Sequence, residues 1–284
     1  MELLQNKDIK DLIEIAIRED VGSGDHSSLA CISSDKMGKA YCVAKEAGMI
    51  AGVELAAYIY KRIDPNLQFI PLKKDGEYIQ VGERVFEVLG SDISILTGER
   101  LVLNFLQRLS GIATQSKIIS DVLKDYHTAV LDTRKTTPGM RLLEKWAVKM
   151  GGCQNHRLGL YDMIMLKDNH IDFAGGIAKA IEKTHQYLQF KGLNLPIEVE
   201  TRNLDEVKQV MEAGRVNRIM LDNFSPEQLK EAIALIDKKF ETEASGGITL
   251  QNIKAYAESG VDYISVGALT HSTKSLDLSL KVEK

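Results

Sequence analysis

Short apolar segments alternate with helical patterns through the second half of this 284-residue chain, and this alternation most constrains the fold. The segments have strand length and look buried, as in a parallel sheet covered by helices. Helical patterns, such as 226–240 and 250–259, separate most of them. Six such units predict a closed or nearly closed α/β barrel, with an open doubly wound sheet as the structural alternative. The predicted strands are 129–133, 163–167, 196–200, 218–222, 241–245 and 263–267.

The first half has a different pattern. Apolar residues at helical spacing predict a helix over 8–19, followed by a loop at 21–28 (VGSGDHSS). Short strand-like runs follow, with a helix predicted at 52–63 between them. Turn residues within 75–90 favour small antiparallel strands. A long helix, roughly 95–124, then leads into the second half.

Composition and charge exclude several classes of protein. The chain has 44% apolar residues, enough for a large core, and a net charge of -4, so we expect no nucleic-acid partner. Three cysteines without a Cys-x-x-Cys pair indicate a reducing compartment and no zinc site. The charged N-terminus lacks the apolar core of a signal peptide, and the most apolar stretch, 49–60, is too short to span a bilayer. We therefore expect a cytoplasmic protein with no membrane partner.

Polar or charged residues follow or end each predicted strand of the second half. In an α/β barrel these strand ends share one face, where active sites lie. The alternative is that strands simply stop where polarity begins. The strand-end residues are Thr133, Arg134, Lys135, Lys167, Glu200, Asp222, Ser245, Gly246, Gly247 and Gly267.

The last two strands favour a phosphate site. Ser245-Gly246-Gly247 precedes a predicted helix start near Thr249, and Gly267 ends the final strand. Glycines let backbone N–H groups approach an anion, and loops after the last two barrel strands often bind phosphate. His271 is a further candidate in this set. A simple turn is the alternative for the glycine pair.

A local basic cluster predicts a small ligand with several negative charges. From Arg134 to Lys167 there are seven Lys or Arg residues against two acidic residues, inside an acidic protein. The spacing of Arg141, Lys145 and Lys149 is typical of a solvated helix face. Other members lie at strand ends or in a loop, and planar guanidinium groups suit carboxylates and phosphates. These members are Arg134, Lys135, Arg157 and Lys167.

Carboxylates and histidines complete the candidate site. Glu200 and Asp222 could bind Mg²⁺ or ribose hydroxyls, or stabilise a cationic transition state, while pairing with lysines is their structural alternative. Glu198 shares the strand face of Glu200 and is an alternative ligand. His156 precedes Arg157 and is a candidate for ligand contact. For His170, helix capping and catalysis remain equally open.

Eight segments in this order closely resemble the quinolinate phosphoribosyltransferase family, over nearly the whole chain. The segments are REDVGSGDHSS, LTGERLVLNFLQRLSGIAT, DTRKTTPGMRLLEKWAVKMGG, NHRLGLYDMIMLKDNH, IEVET, LDNF, EASGGI and VDYISVGALTHS. One departure is Cys153, where the family pattern often has a third glycine. It lies beside the basic loop but removes no charged group.

The resemblance implies an N-terminal open α/β sandwich domain over 1–112 and a C-terminal incomplete α/β barrel over 113–273. The segment 274–284 would return to the N-terminal domain. The resemblance also implies Mg²⁺, phosphoribosyl pyrophosphate and quinolinate as ligands, and a head-to-tail homodimer. The activity implied is the carboxylating nicotinate-nucleotide pyrophosphorylase reaction of NAD biosynthesis.

The resemblance also implies a role for each matching residue. Lys135 would lie between quinolinate and pyrophosphate, and Glu200 and Asp222 would contact the ribose hydroxyls and metal. Arg100 would reach the site from the partner subunit. Lys135, Lys167, Glu200 and Asp222 are the predicted catalytic residues. The quinolinate carboxylates would be bound by Arg134, His156, Arg157 and Lys167. The 5′-phosphate would be held by Ser245, Gly246, Gly267 and His271. Thr133, Gly247, Ser265 and Val266 are neighbouring strand-end residues that complete the predicted substrate-binding set.

Three alternatives remain open at this point. A related phosphoribosyltransferase would act on nicotinate or another anionic ring, as in the molybdenum-transport-associated relatives. A Schiff-base aldolase would use Lys167. A lipoyl- or biotinyl-like carrier would use Lys36, because the segment 75–90 has the turn-and-strand pattern of such domains, although a predicted helix intervenes.

Overall fold

The computed structural model describes residues 2–283, with the side chain of Glu2 left out. The first residues form a short 3-10 helix, Glu2–Gln5. The α-helices, numbered α1 to α11 in chain order, are Lys7–Val21, His26–Cys31, Val53–Ile63, Asp92–Val122, Arg141–Met150, Asp168–Ala174, Ile177–Lys191, Leu204–Ala213, Pro226–Ile236, Ile253–Ala257 and Ala268–His271. The strands, β1 to β12, are Met37–Ala44, Gly48–Met49, Gln68–Pro71, Tyr78–Ile79, Arg84–Ser91, Ala129–Leu131, Ile164–Leu166, Ile197–Thr201, Arg218–Asp222, Glu241–Ser245, Tyr263–Ser265 and Leu278–Val282.

The chain divides into two compact units that interleave along the sequence. The first unit is Met1–Ile118 with Thr136–Gly152 and Leu269–Lys284, and the second is Ile119–Lys135 with Cys153–Ala268. The units are defined by spatial packing rather than by chain order, and the segment Thr136–Gly152 therefore belongs to the first. The domain boundaries at residues 112 and 273 stay a prediction.

The first unit contains a four-stranded sheet in the order β12-β1-β5-β3, whose neighbouring strands pair antiparallel. The C-terminal strand β12 thus forms an edge of the N-terminal sheet. The core includes Tyr60 from α3 and Phe86 from β5, whose ring centroids are 6.2 Å apart. Along α4, Leu101, Phe105 and Leu109 recur every four residues and are all buried, so they share the face that packs into the core.

Two predictions for the first unit are wrong. The segment 21–28 is not all loop, because the Asp25 side chain accepts the N–H of Ser28 and caps a short helix, α2. The solvated face predicted for α5 fails at Lys145, which is only 2% exposed, whereas Lys149 is exposed. Its neighbour Glu144 is also buried and pairs with Arg108 at 2.9 Å.

The second unit contains a six-stranded parallel sheet in the order β6-β11-β10-β9-β8-β7. Strand order follows the chain around the sheet, as in a barrel, and lacks the reversal of a doubly wound sheet. Within residues 2–283, β6 and β7 form no ladder with each other, so the barrel is incomplete. The fold class predicted from the resemblance is confirmed.

The loop after α5 lies along the free edge of β6. Gln154 donates its N–H to the carbonyl of Val130 at 2.8 Å and accepts the N–H of Asp132 at 3.1 Å.

The two helices predicted at 226–240 and 250–259 are shorter than expected. α9 ends at Ile236 because Asp237 adopts the left-handed conformation (φ 50°), and α10 covers only Ile253–Ala257.

Candidate active site

The C-terminal ends of the parallel strands gather most of the predicted site residues in the second unit. Parallel strands place these ends on one edge of the sheet, so the side chains lie at a common mouth. Thr133 to Lys135 follow β6, Lys167 follows β7, and Glu200, Asp222 and Ser245 lie in the last residues of β8, β9 and β10. Arg100 and His271 belong to the first unit and are exposed. Their predicted roles stay predictions.

Lys167 and Glu200 form an ion pair at the mouth. Lys167 Nζ donates to Glu200 Oε2 at 3.0 Å, and the lysine side chain is 48% exposed. Burial and the charge of Glu200 raise the pKa of Asp222, against the opposing effect of Lys167. The two carboxylates are therefore close enough to repel. Paired carboxylates with spare oxygen lone pairs suit a hard cation or sugar hydroxyl groups.

Arg134 and Arg157 bring two positive charges to the same mouth. Burial of the Arg157 guanidinium, together with the nearby charge of Arg134, lowers its pKa. Arg157 Nη1 donates to the carbonyl of Met163 at 3.2 Å, which fixes one end of the group. Two guanidinium groups held close together are a receptor for a ligand with more than one negative charge.

The loop that carries Arg157 is held by two aspartates that sequence reasoning missed. Asp132 Oδ1 accepts the N–H of His156 at 2.9 Å, and its Oδ2 accepts from the Asn155 side chain at 2.6 Å. Asp162 accepts the N–H groups of Leu158 and Gly159 at 2.6 and 2.8 Å. The position of Asp132 between a buried strand and the Thr-Arg-Lys strand end was the available signal.

His156 lies in a buried cluster. Its Nε2 is 3.0 Å from Glu198 Oε2 and 3.3 Å from Glu243 Oε2. Burial alone would lower the pKa of His156, but the contacts with the two carboxylates raise it. The hydrogen bond that Nδ1 accepts from the Arg157 N–H at 2.6 Å nevertheless requires a ring with its proton on Nε2, which faces Glu198 and Glu243, and this geometry sets the tautomer. Burial and the charge of Glu243 raise the pKa of Glu198 to about 7. Glu198 is 0% exposed, so Glu200 rather than Glu198 is the carboxylate at the mouth.

Backbone geometry at Ser245-Gly246-Gly247 fits the predicted anion loop in part. Gly246 has φ 95°, and a Cβ there would collide with the Asn223 side chain, so only glycine fits. The Ser245 side chain is hydrogen bonded to Asp222. The predicted helix start near Thr249 is wrong. The Thr249 N–H is accepted by the Asn252 side chain at 2.7 Å, and α10 begins at Ile253.

The remaining predicted residues of the site differ in their exposure to solvent. Thr133 Oγ1 accepts the N–H of Lys135 at 3.1 Å, and Lys135 is exposed. Ser265 and Val266 are buried, and the Val266 N–H already donates to the carbonyl of Leu131 at 2.9 Å. The backbone N–H of Val266 is therefore already used, and only its carbonyl group would be available to contact a substrate. For these residues and for Gly267, substrate contact stays a prediction.

His170 is a helix-capping residue. Its Nδ1 accepts the N–H of Lys167 at 3.0 Å, so the ring closes the first turn of α6. This contact fixes the backbone of the residue whose side chain pairs with Glu200. The capping alternative proposed for His170 is therefore confirmed.

A cavity of about 1120 Å³ lies at the opposite end of the sheet. Its lining includes Arg218, Glu241 and Tyr263, which are the first residues of β9, β10 and β11. The polar strand ends are therefore not part of it. The mouth, rather than this cavity, combines the residue types that bind charged substrates.

Comparison with known proteins gives a consistent family. The family model for the quinolinate phosphoribosyl transferase C-terminal domain matches residues 112–281, and the N-terminal domain model matches residues 25–110. The chain is 46% identical to the chloroplastic carboxylating nicotinate-nucleotide pyrophosphorylase of Arabidopsis thaliana, over 97% of this chain and 83% of that protein. It is 43% identical to the probable carboxylating nicotinate-nucleotide pyrophosphorylase of Bacillus subtilis, over 96% of this chain and 93% of that protein.

Structural comparison agrees. The solved nicotinate-nucleotide pyrophosphorylase of Francisella tularensis has a TM-score of 0.92 at 40% identity, covering 97% of this chain and 96% of that one. Among residues 2–283, no helix has the length and apolar character needed to cross a bilayer. With both domain models matched and relatives above 40% identity, this chain belongs to the quinolinate phosphoribosyltransferase family.

Proposed function

We propose that this enzyme transfers the phosphoribosyl group of phosphoribosyl pyrophosphate to quinolinate and releases carbon dioxide, forming nicotinate mononucleotide and pyrophosphate in de novo NAD biosynthesis. The observation that carries this proposal is the Arg134–Arg157 pair. Burial and the nearby charge of Arg134 lower the pKa of Arg157, so an anion bound here would stabilise the Arg157 cation. A dicarboxylate relieves that repulsion better than a monocarboxylate does.

The quinolinate carboxylates bind Arg134, His156, Arg157 and Lys167, as the resemblance implies. Lys135 lies between the pyridine ring and the pyrophosphate. Lys167 is half exposed and pairs with Glu200 at 3.0 Å, so its ammonium group, which has three donors, can contact an anion at the mouth while it keeps that pair. The 5′-phosphate binds the loop at Ser245, Gly246 and Gly247 with Gly267 and His271, as the resemblance implies.

Glu200 and Asp222 hold Mg²⁺ and the ribose hydroxyls. The fit is chemical, because the two carboxylates repel each other, as the raised pKa of Asp222 indicates, and a divalent cation relieves that repulsion. When bound, Mg²⁺ would neutralise charge on the pyrophosphate leaving group. The metal assignment rests on these two residues.

The reaction needs positioning and electrostatic stabilisation rather than a nucleophilic side chain. The pyridine nitrogen forms the bond to ribose C1 as the C1–pyrophosphate bond breaks, and positive charge builds on the ribose ring. Nearby carboxylates stabilise that charge. The ribosylated nitrogen is cationic, so it stabilises the carbanion that forms at ring C2 when carbon dioxide departs, and a proton then binds C2 in place of the lost carboxylate.

Turnover of two substrates tests the proposal. Purified enzyme with phosphoribosyl pyrophosphate and Mg²⁺ is assayed with quinolinate or nicotinate, measuring nicotinate mononucleotide formation. We expect quinolinate to be preferred on the order of 10³-fold or more, because nicotinate lacks a carboxylate and leaves site cations unpaired. Equal or better turnover of nicotinate would contradict the assignment and favour a nicotinate-type relative.

We also propose a homodimer in which Arg100 acts in the partner's site. The exposure of Arg100 on α4 is consistent with an intermolecular contact. Arg100→Ala and Lys135→Ala should each nearly abolish activity. Co-refolded mixtures should recover about a quarter of wild-type activity, because half the dimers are mixed and one site in each is intact. No recovery in mixed dimers verified by mass spectrometry would place Arg100 in its own subunit's site or outside any site.

We place the enzyme in the cytoplasm, because all three cysteines are free thiols and two, Cys42 and Cys153, are buried. Cell fractionation with an antibody to the native protein checks this location. Recovery in an organelle or secreted fraction would contradict it.

A further inference from the structure

A buried ionic quartet lies inside the six-stranded sheet and is formed by His156, Glu198, Arg218 and Glu243. Arg218 Nη1 donates to Glu243 Oε2 at 2.8 Å, and His156 Nε2 is 3.0 Å from Glu198 Oε2 and 3.3 Å from Glu243 Oε2. Glu198 and Glu243 are both 0% exposed. This cluster is not part of the proposed substrate contacts, with the exception of His156.

Strand periodicity places the quartet directly beneath the mouth. Side chains two residues apart on a strand share a face. Glu198 precedes Glu200 by two residues, Glu243 precedes Ser245 by two, and Arg218 precedes Asp222 by four. Strands β8, β9 and β10 thus each carry one quartet member two or four residues before their proposed ligand-binding residue, whereas His156 comes from a loop.

Burial makes this cluster a strong constraint on the His156 ring. A buried carboxylate without a partner costs several kcal/mol, so both glutamates hold their cationic or hydrogen-bonding neighbours firmly. One side-chain nitrogen or oxygen atom from each of His156, Glu198 and Glu243 lies within 4.8 Å of the other two, as in a metal site. Arg218 already supplies positive charge at Glu243, so an ion is not needed to balance the cluster.

The constraint on His156 passes directly to Arg157. The Arg157 N–H donates to Nδ1 of the preceding histidine at 2.6 Å, and the His156 N–H donates to Asp132 at 2.9 Å. The ring of His156 is therefore held at both nitrogens and its backbone at a third point. The next residue is the arginine proposed to bind a quinolinate carboxylate.

We propose that Glu198 and Glu243, anchored by Arg218, are positioning residues that fix His156 and thereby place the Arg157 guanidinium for the dicarboxylate. This inference rests on the proposed function. It assigns a role to three residues that do not touch substrate. It also explains why two carboxylates are buried beneath a site proposed to bind an anion. They do not contact the anion but position His156, which in turn positions the Arg157 guanidinium that binds it.

Steady-state kinetics of Glu198→Gln test the role, because glutamine keeps the shape and removes the charge. We expect the KM for quinolinate to rise about tenfold, with kcat falling less, as measured coupling energies between contacting residues allow. The KM for phosphoribosyl pyrophosphate should stay within about twofold. Glu241→Gln is the matched control, because Glu241 also pairs with Arg218, at 3.0 Å, but is not among the residues in contact with His156. It should leave both KM values within about twofold.

A double-mutant cycle identifies the route of the effect. In an Arg157→Lys background, Glu198→Gln should change the KM for quinolinate by less than about twofold, because the group that it positions is gone. A tenfold effect that persists in that background would overturn the proposal. Equal weakening of both substrates would also overturn it.

Folding is followed by thermal unfolding of each variant. Should Glu198→Gln fail to fold, Glu243→Gln is taken through the same cycle, and failure of both to fold would make the quartet a folding element and the proposal wrong. The proposed function fails separately, when wild-type enzyme does not turn over quinolinate. The inference fails when wild type does so and the variants show no selective effect.

Discussion

The two ends of the parallel sheet carry similar residue types and use them differently. At the N-terminal ends, polar groups satisfy one another: Asp262 Oδ2 accepts the N–H and the hydroxyl of Thr242 at 2.8 and 2.7 Å, and the Arg218 guanidinium lies 3.9 Å from the centre of the Tyr263 ring. At the C-terminal ends, Lys167 has one carboxylate partner and remains 48% exposed. Unused hydrogen-bonding capacity, rather than charge alone, distinguishes the end that we propose binds substrate.

A large cavity lies at the N-terminal ends of the strands. The cavity of about 1120 Å³ is lined by Lys238 and Lys239 together with Glu241 and Asp262, a mixture of charges without a clear preference for an anion. In α/β barrels the N-terminal face serves stability and the C-terminal face serves chemistry. Matched substitutions at the two ends therefore test the comparison.

Removal of a lysine should have the largest effect at the mouth. Lys167→Ala should lower kcat/KM for quinolinate by about 10²-fold or more, because it removes a cation from the dicarboxylate site and leaves Glu200 without its ion pair. Lys239→Ala, an exposed lysine beside the opposite cavity, should change it by less than about twofold. Comparable losses in the two variants would show that the ends are not functionally distinct.

Asp262, whose carboxylate is hydrogen bonded to Thr242, should matter for stability and not for catalysis. Asp262→Ala leaves the N–H and hydroxyl of buried Thr242 without their acceptor and should lower the free energy of unfolding by about 2 kcal/mol. Both KM values should remain within about twofold of wild type. Denaturant unfolding and steady-state kinetics measure the two effects, and a selective kinetic defect would argue for function at this end.

Alanine substitutions at two glycines with similar positive φ angles distinguish the effect of a steric collision from the effect of an unfavourable backbone conformation. Gly246→Ala should raise the KM for phosphoribosyl pyrophosphate about tenfold, because alanine is strained at φ 95° and its Cβ collides with the Asn223 side chain. Gly260→Ala, at φ 87° with nothing within 4 Å, is the control at the other end. It should lose similar stability, about 1 kcal/mol, without a change in either KM. An unchanged KM in Gly246→Ala would remove this loop from the phosphate site.

The strand ends could be predicted from the sequence, because apolar runs and the polar residues that terminate them are read directly along the chain. Strands β9 and β10 match their predicted bounds at both ends. Counting back two residues from Ser245 would also have found Glu243. Sequence reasoning instead considered Glu198 only as a second ligand at the mouth, and it missed Arg218.

The position of His156 could not be predicted in the same way. It depends on a loop without regular structure, whose backbone is held by Asp132 and Asp162. Asp132 lies 24 residues before His156 in the chain, so the contact is tertiary and leaves no local pattern. The same limit applies to Lys145, whose helical spacing indicated an exposed face although the fold buries it.

The smallest effect is expected at Cys153, the one noted departure from the family pattern. Among residues 2–283, the non-glycine residues with positive φ are Arg215, Asn223, Asp237 and Lys238, so Cys153 has an ordinary backbone that does not require glycine. Burial, with the charge of Asp132 adding to it, raises the pKa of the thiol to about 12, so it stays neutral. Cys153→Gly should lower the free energy of unfolding by about 1 kcal/mol, through lost burial and added chain entropy.

Kinetics should barely respond to that change, because it removes no charged group from the mouth. The KM for quinolinate in Cys153→Gly should stay within about twofold of wild type, and Cys153→Ala, which keeps a Cβ, should recover part of the lost stability. A selective rise in this KM would mean that the backbone at position 153 sets the path of the loop to Arg157. The loop would then be controlled from its start as well as from the quartet beneath it.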